Sequence, residues 1–301
     1  MNIKRLIAGP ILSLVFLLFF IYVLAGVQWV FDGLMPSQSK QEFLSSVSGS
    51  VKNIAIRPDV EAKAAISIES NLGGESRVLF EKEGNIQLPI ASLTKLMTAI
   101  VVLDNYDLSS IITVDKAADF YYPLDNDVKL GDTLPVESLL EIMLIGSSNR
   151  AAYVLAEGPQ GNMGVQKFVN LMNQKAEELG LQNTYFSDPT GLSPNNISTA
   201  SDLAKLGEYI LRNYPKISDV SKAKEFYVPN FGNISNTDQL LGEIPEVVCS
   251  KTGFTAAAKG CLLLVVNNPK SNGYLINVIL GADDRFSDMK KVIDWSNSIC
   301  N

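Results

Sequence analysis

Strand-like stretches stand at both ends of the part of this chain that can build a core, and a long helical middle separates them. Residues 64–70 and 77–81 read as a hairpin closed by a turn at Asn71 to Gly74. Residues 246–253, 260–266 and 274–281 read as three further strands, and the short connection between the first two makes them antiparallel. Between the two groups, helices are expected from Ser92 to about Asp104, from near Val136 to a break at Gly146, and from there to about Glu157. A further helix runs from Gly164 to Leu179, ended by Gly180, and another starts at a capping-box-like Thr199–Asp202 and runs through Leu211. A closing helix covers Ser287 to Ile299. Two strands before the helical insert and three after it predict an α+β fold. Its antiparallel sheet of about five strands is built from both ends of the chain and flanked by helices, with a helical subdomain. Residues 111–135 and 214–245 read as irregular, and no internal repeat is visible.

The N-terminal residues read as a separate unit. Lys4 and Arg5 precede an uncharged run from Leu6 to Phe31, long enough to span a hydrocarbon core of about 30 Å. The run is longer than a cleaved signal peptide's apolar region and continues through Trp29, a residue suited to the membrane interface. We therefore read residues 1–32 as an uncleaved transmembrane anchor, 33–59 as a linker and 60–301 as the folded domain. The positive charges on the N-terminal side place everything from about residue 33 outside the cytoplasm, on a single-pass membrane protein. A net charge of −7 with no basic cluster beyond the first turn argues against nucleic acid as a partner. Three cysteines are too few for a disulfide framework. Cys249 and Cys261 flank a predicted hairpin and could meet across it, but buried thiols are the expectation. The sequons at Asn196 and Asn233 read as chance.

The chemistry is constrained by an absence: the chain has no histidine. That removes a Ser-His-Asp triad and a His-Glu-x-x-His zinc site. Ser92 and Lys95 are three apart at the start of an apolar helix, so they share a face, roughly 5–6 Å apart at Cβ. A serine hydroxyl needs a base, and here lysine is the natural one. Lysine can serve only if burial or a nearby cation lowers its pKa from about 10.4. The bland alternative is a helix capped by Ser92 with Lys95 in water.

Two more short motifs follow in order, Ser147-x-Asn149 and Lys251-Thr252-Gly253, each on a suitable element. This set of three is shared by penicillin-binding proteins and class A β-lactamases. The segments 90–99, Asp188-Pro-Thr-Gly-Leu, 198–204 and 251–255 resemble the low-molecular-mass D-alanyl-D-alanine carboxypeptidases, a likeness that covers about residues 60 to 300. The resemblance implies a β-lactamase/penicillin-binding transpeptidase-like fold. It also implies an acyl-enzyme on Ser92, with Lys95 as base and Ser147 and Asn149 relaying the proton and holding the peptide. Lys251 and Thr252 would bind the terminal carboxylate by charge-assisted hydrogen bonds. Gly253 would admit the substrate to the strand edge, and the N–H groups of Ser92 and Phe254 would form the oxyanion hole. Peptidoglycan stem peptides would be the substrate and β-lactams covalent inhibitors; no cofactor or metal is expected.

The chain also departs from that family. The middle motif usually reads Ser-Gly-Asn followed by an acidic residue; here it is Ser147-Ser148-Asn149-Arg150, closer to the D,D-endopeptidase branch that cuts cross-links. A positive charge at a helix start is unfavourable by about 0.3–1 kcal/mol when exposed. Arg150 should therefore meet a carboxylate among Asp115, Asp119, Asp125 and Asp127 or an acidic group on the substrate, or else extend into water. Residues 256–260 replace the usual turn before the next strand. No Glu-x-x-x-Asn stands on a loop between Asn149 and Lys251 to supply a deacylating carboxylate, so efficient β-lactam hydrolysis is not expected. The expectation is a D-Ala–D-Ala carboxypeptidase. The alternatives are a D,D-endopeptidase and a catalytically idle, penicillin-type module that binds peptidoglycan.

Overall fold

The computed structural model describes residues 57–71, 74, 76–115, 128–229, 231–268, 271 and 273–299. The expected membrane anchor and almost all of the expected linker lie outside the described residues. So do Asp119, Asp125, Asp127 and Cys300. Among the described residues no helix is long and apolar enough to cross a membrane.

The sheet is the one expected from the two chain ends. β1 (Ala64–Ser70) and β2 (Arg77–Lys82) form the first hairpin, and β9 (Val247–Thr255), β10 (Lys259–Asn267) and β11 (Tyr274–Ala282) form the C-terminal meander. They assemble in the order β2-β1-β11-β10-β9, and each neighbouring pair is antiparallel. The first and last parts of the folded chain thus meet at the β1–β11 ladder, where Ala64 faces Leu280 and Ser70 faces Tyr274. β9 is an edge strand. The turn at residues 256–258 closes its hairpin with Thr255 opposite Lys259 and Phe254 opposite Gly260, which settles the register there.

Alternation along the strands separates two cores. Ile66, Ile68, Leu263, Val265, Ile276 and Val278 face the larger one, with the helical middle of the chain. Ala65, Leu262, Leu264, Leu275 and Ile279 face the smaller one, under α7 (Arg285–Ile299) with its Met289, Val292 and Ile293. Covered on both faces, β10 and β11 are apolar almost throughout, which is why they were visible in the sequence.

The helical layer is centred on α1 (Thr94–Asn105), buried on every side from Thr94 to Val102. A helix apolar all round needs neighbours all round. They are α2 (Val136–Ile145), α3 (Asn149–Glu157) and α4 (Val165–Glu178). α5 (Ala200–Asn213) packs on β1 and β11, started by the Thr199 side chain accepting from the Asp202 N–H at 3.0 Å. Only half of the anticipated capping box forms, because the Asp202 carboxylate turns instead to Asn183 and Thr184.

Several segments differ from expectation. The 214–245 stretch contains a helix, α6 (Pro215–Ser221), and a hairpin of β7 (Glu225–Val228) and β8 (Gly232–Ser235). Short pairs also join β4 (Ile111–Thr113) to β5 (Thr133–Pro135), and β3 (Leu88–Pro89) to β6 (Ile197–Ser198). These strands of two to four residues carry too few positions for alternation to register. Cys249 and Cys261 are buried free thiols. They sit on adjacent strands but face Val265 and Gly253, not each other. Asn196 is fully buried, its side chain spent on the Asp188 loop, as suits a chance sequon.

Candidate active site

Ser92 does not begin the α-helix. It lies in a single 3₁₀ turn, Ala91–Leu93, that leads into α1, and it makes no capping bond. Ala91, just before it, sits at φ +48°. A non-glycine residue in that region costs of order 1–3 kcal/mol and persists only where its surroundings hold it. The holding elements are two backbone segments that pass directly against Ser92. At Gly191 (φ +88°) an added Cβ would stand 2.0 Å from the Ala91 carbonyl oxygen and 2.9 Å from the Ser92 nitrogen. At Gly253 on β9 it would stand 3.0 Å from both the Ile90 carbonyl oxygen and the Ser92 nitrogen. Glycine is required at both positions, at Gly253 for close approach and at Gly191 for conformation as well.

Lys95 is not solvated; it is completely buried. Its Nζ lies 2.9 Å from Ser92 Oγ, 2.8 Å from Asn149 Oδ1 and 2.7 Å from the Thr190 carbonyl oxygen. Asn149 is the first residue of α3, whose cap is Ser148, its Oγ accepting from the Ala151 N–H at 3.0 Å. The Thr190 carbonyl is presented by the segment 188–193, wrapped around the Asp188 carboxylate. Oδ1 accepts from Thr190 N–H, Thr190 Oγ–H and Gly191 N–H; Oδ2 accepts from Ser193 N–H and Asn196 Nδ2–H. Thr98 Oγ on α1 donates to the Pro189 carbonyl at 2.7 Å, locking this loop to the helix that carries Lys95.

The second cluster is centred on Lys251. Lys251 Nζ, almost completely buried on β9, donates to Ser147 Oγ at 3.0 Å and to the Thr252 carbonyl at 3.2 Å. Ser147, in the break between α2 and α3, is at φ +62°, a second strained residue of the site. Burial, and then the charges of Lys95 and Arg285, hold Lys251 well below the usual lysine range, against the pull of Asp238. The structure therefore brings Ser92, Lys95 and Asn149 together, and Ser147 with Lys251. Thr252 is buried with its hydroxyl bonded to that of Thr237, and Phe254 is largely exposed beside Gly253.

The depressed Lys251 makes a stability prediction with a definite sign. Between its lowered pKa and the ordinary 10.5, the unfolded chain binds a proton that the folded chain lacks, so this group's contribution to stability rises with pH across that window. Cys261, pushed up to about 11 by burial, works the other way above about pH 9. The measurement is therefore a difference: melting temperatures of the wild type and Lys251→Met from neutral pH to about pH 10. The wild type should gain on the variant as pH rises; a constant difference would mean that Lys251 titrates normally.

Arg150 departs from the readings of substrate contact and solvent exposure, while three of the four carboxylates expected to meet it lie outside the described residues. It is 3% exposed, and its guanidinium donates to the carbonyl of Val128. Thr190, Gly191, Thr237, Asp238 and Arg285 were not identified from sequence as site residues. The Asp188–Leu192 segment carried the only signal among them, as part of the family likeness.

The sequence profile of the D-alanyl-D-alanine carboxypeptidase family matches residues 51–284. The D-alanyl-D-alanine carboxypeptidase DacF of Bacillus subtilis is 32% identical over 251 residues, which are 79% of this chain and 62% of that protein. A D-alanyl-D-alanine endopeptidase of Escherichia coli is 33% identical over 251 residues, covering 80% of this chain and 79% of the relative. The chain thus spans less than two thirds of the Bacillus relative. The crystal structure of the Streptomyces K15 DD-transpeptidase superposes with a TM-score of 0.72 at 28% identity, covering 79% of this chain and 98% of the other. A sheet built from both chain ends, a serine and lysine joined at its edge, and a family profile over most of the chain agree: this protein belongs to the D-alanyl-D-alanine carboxypeptidase family of serine D,D-peptidases.

Proposed function

We propose that this protein is a membrane-anchored serine D-Ala–D-Ala carboxypeptidase that acts on peptidoglycan stem peptides through an acyl-enzyme on Ser92. The observation that carries the reading is the 2.9 Å contact between Lys95 Nζ and Ser92 Oγ inside a buried, cation-rich pocket. A buried ammonium beside a second cation is disfavoured. On giving up a proton to become the base, Lys95 would keep two N–H groups for Asn149 Oδ1 and the Thr190 carbonyl and turn its lone pair to the Ser92 hydroxyl. Ser92 Oγ then attacks the carbonyl of the D-Ala–D-Ala bond as Lys95 takes its proton. Ser147, held by Lys251, is placed to pass a proton to the departing D-alanine amine, and Asn149 to hold the peptide. Lys251, with Thr252, receives the terminal carboxylate, whose charge offsets the crowding of cations. The approach of β9 to the Ser92 nitrogen supports an oxyanion hole of the Ser92 and Phe254 N–H groups. Water then releases the acyl group. β-Lactams would trap the same serine.

The test is incubation of the protein with monomeric muropeptide pentapeptides. Release of D-alanine is expected, and labelling by a fluorescent penicillin without turnover would leave an idle binding module. D,D-endopeptidase action is the second reading, favoured by the similar identity to the Escherichia coli endopeptidase. Cross-linked muropeptides in the same assay separate the two. Residues 6–31 would anchor the protein with the peptidase domain outside the cytoplasm. Protease added to intact spheroplasts should digest that domain, and a mature N-terminus found beyond about residue 30 would make the segment a cleaved signal instead.

Arg150 no longer supports the endopeptidase reading through substrate contact. Arg150→Met should leave the Val128 carbonyl without its donor and cost about 1–3 kcal/mol of stability. Activity on monomeric and cross-linked peptides should fall together. A loss confined to cross-linked substrate would restore a direct role.

A further inference from the structure

The loop from Asn236 to Leu241, between β8 and β9, grips both neighbours of Lys251. Its Thr237 N–H donates to the Ile145 carbonyl at 3.3 Å, at the end of α2 and two positions before Ser147. Thr237 Oγ1 is hydrogen-bonded to Thr252 Oγ1. Asp238 Oδ2 accepts from Ser250 Oγ at 2.5 Å and Oδ1 from the Leu240 N–H at 2.9 Å, while the Asp238 N–H donates to Asn236 Oδ1 at 2.9 Å. Asp238, Ser250, Lys251 and Thr252 are all buried. A carboxylate is thus shut inside the protein on the residue next to Lys251, where burial is costly unless a cation compensates it.

The charges that face Lys251 come from three elements: Lys95 on α1, Arg285 on α7 and Asp238 on this loop. Two repel its proton and one holds it. Asp238 in turn faces Arg285 and Lys251; burial pushes its carboxyl up, while these cations and the bonds from Ser250 and Leu240 pull it down. Resting on the reading of Lys251 as the anchor for a substrate carboxylate, we infer that Asp238 is a positioning residue. Its carboxylate keeps Lys251 protonated in a site otherwise dominated by positive charge, and its bond to Ser250 fixes β9 at that point. The role is distinct from those of Ser92 and Lys95, because it acts on ligand capture and not on bond making.

The test is the pH dependence of acylation by benzylpenicillin, which carries the required carboxylate, from about pH 6 to pH 10. Asp238→Asn keeps the side chain's shape and removes its charge. The alkaline limb of the profile, where Lys251 loses its proton, should move to lower pH by about 1 pH unit or more, with the loss in binding and not in the limiting acylation rate. Ser250→Ala, which deprives the carboxylate of its hydroxyl donor, should move the limb in the same direction by less, and it carries the test if Asp238→Asn melts early. An unshifted limb with a uniformly lower rate would make Asp238 a packing residue and overturn the inference, while leaving Ser92 and Lys95 in their roles. Failure of the wild type to be acylated at all would overturn both.

Discussion

Ser92→Ala should abolish covalent labelling by penicillin and peptide hydrolysis together, with the melting temperature almost unchanged. The expectation of an unchanged fold follows from the local structure. Ser92 accepts no helix N–H as a cap, so no capping energy is lost. The change deletes one oxygen from a partly buried side chain next to the Lys95 amine. Removing the hydroxyl leaves Lys95 with the Asn149 and Thr190 oxygens, so its burial remains supported. The catalytic effect should be of the size seen when a nucleophile is deleted from an acyl-transfer site, on the order of a 10⁶-fold loss. Residual covalent labelling of the variant would place the nucleophile elsewhere.

Gly191→Ala should be nearly as damaging although the residue has no side chain to take part in the chemistry. Its Cβ would stand 2.0 Å from the Ala91 carbonyl oxygen and 2.4 Å from the carbonyl carbon, distances no packed structure tolerates. The obstacle is backbone on both sides, so no side chain can swing away. The positive φ adds a penalty of about 1 kcal/mol for any residue with a Cβ. Relief would require either Ala91, already at φ +48°, or the Asp188 loop to withdraw. Withdrawal of the loop carries the Thr190 carbonyl away from Lys95, and withdrawal of Ala91 carries Ser92 away from β9. Acylation should fall by at least about 100-fold, the scale expected for a misplacement of roughly 1 Å. Measured penicillin acylation within a few-fold of wild type would show that the loop does not hold the serine.

The sheet was legible for a simple physical reason. β10 and β11 are covered on both faces and must be apolar almost continuously, while the β1–β2 hairpin announces itself by its turn. The β7–β8 hairpin was not legible, because Gly232 to Ser235 is polar and partly exposed. The pairing of Ser92 with Lys95 could be read from helical spacing, although the α-helix itself starts only at Thr94. Helical spacing cannot reveal that Thr190 supplies a third acceptor from 95 residues away, or that Gly191 is packed against the serine's own backbone. Asp238 was hidden for the same reason: its meaning comes from Ser250 and Lys251 on a strand that only the folded chain brings alongside. Arg150 shows the opposite failure. Its departure from the usual motif suggested a role toward substrate, yet the side chain is turned inward to the Val128 carbonyl.

The central claim is that Lys95 activates Ser92 to open the D-Ala–D-Ala bond. The most direct measurement is rapid acid quenching of the protein with a D-Ala–D-Ala-terminated pentapeptide, followed by mass spectrometry of the proteolytic fragment spanning residues 86–104. The expected result is a fragment heavier by the peptide acyl group without its last D-alanine, attached at Ser92, with free D-alanine in solution. D-alanine release with the fragment unmodified at every quench time, under conditions where penicillin acylates a different residue, would contradict it.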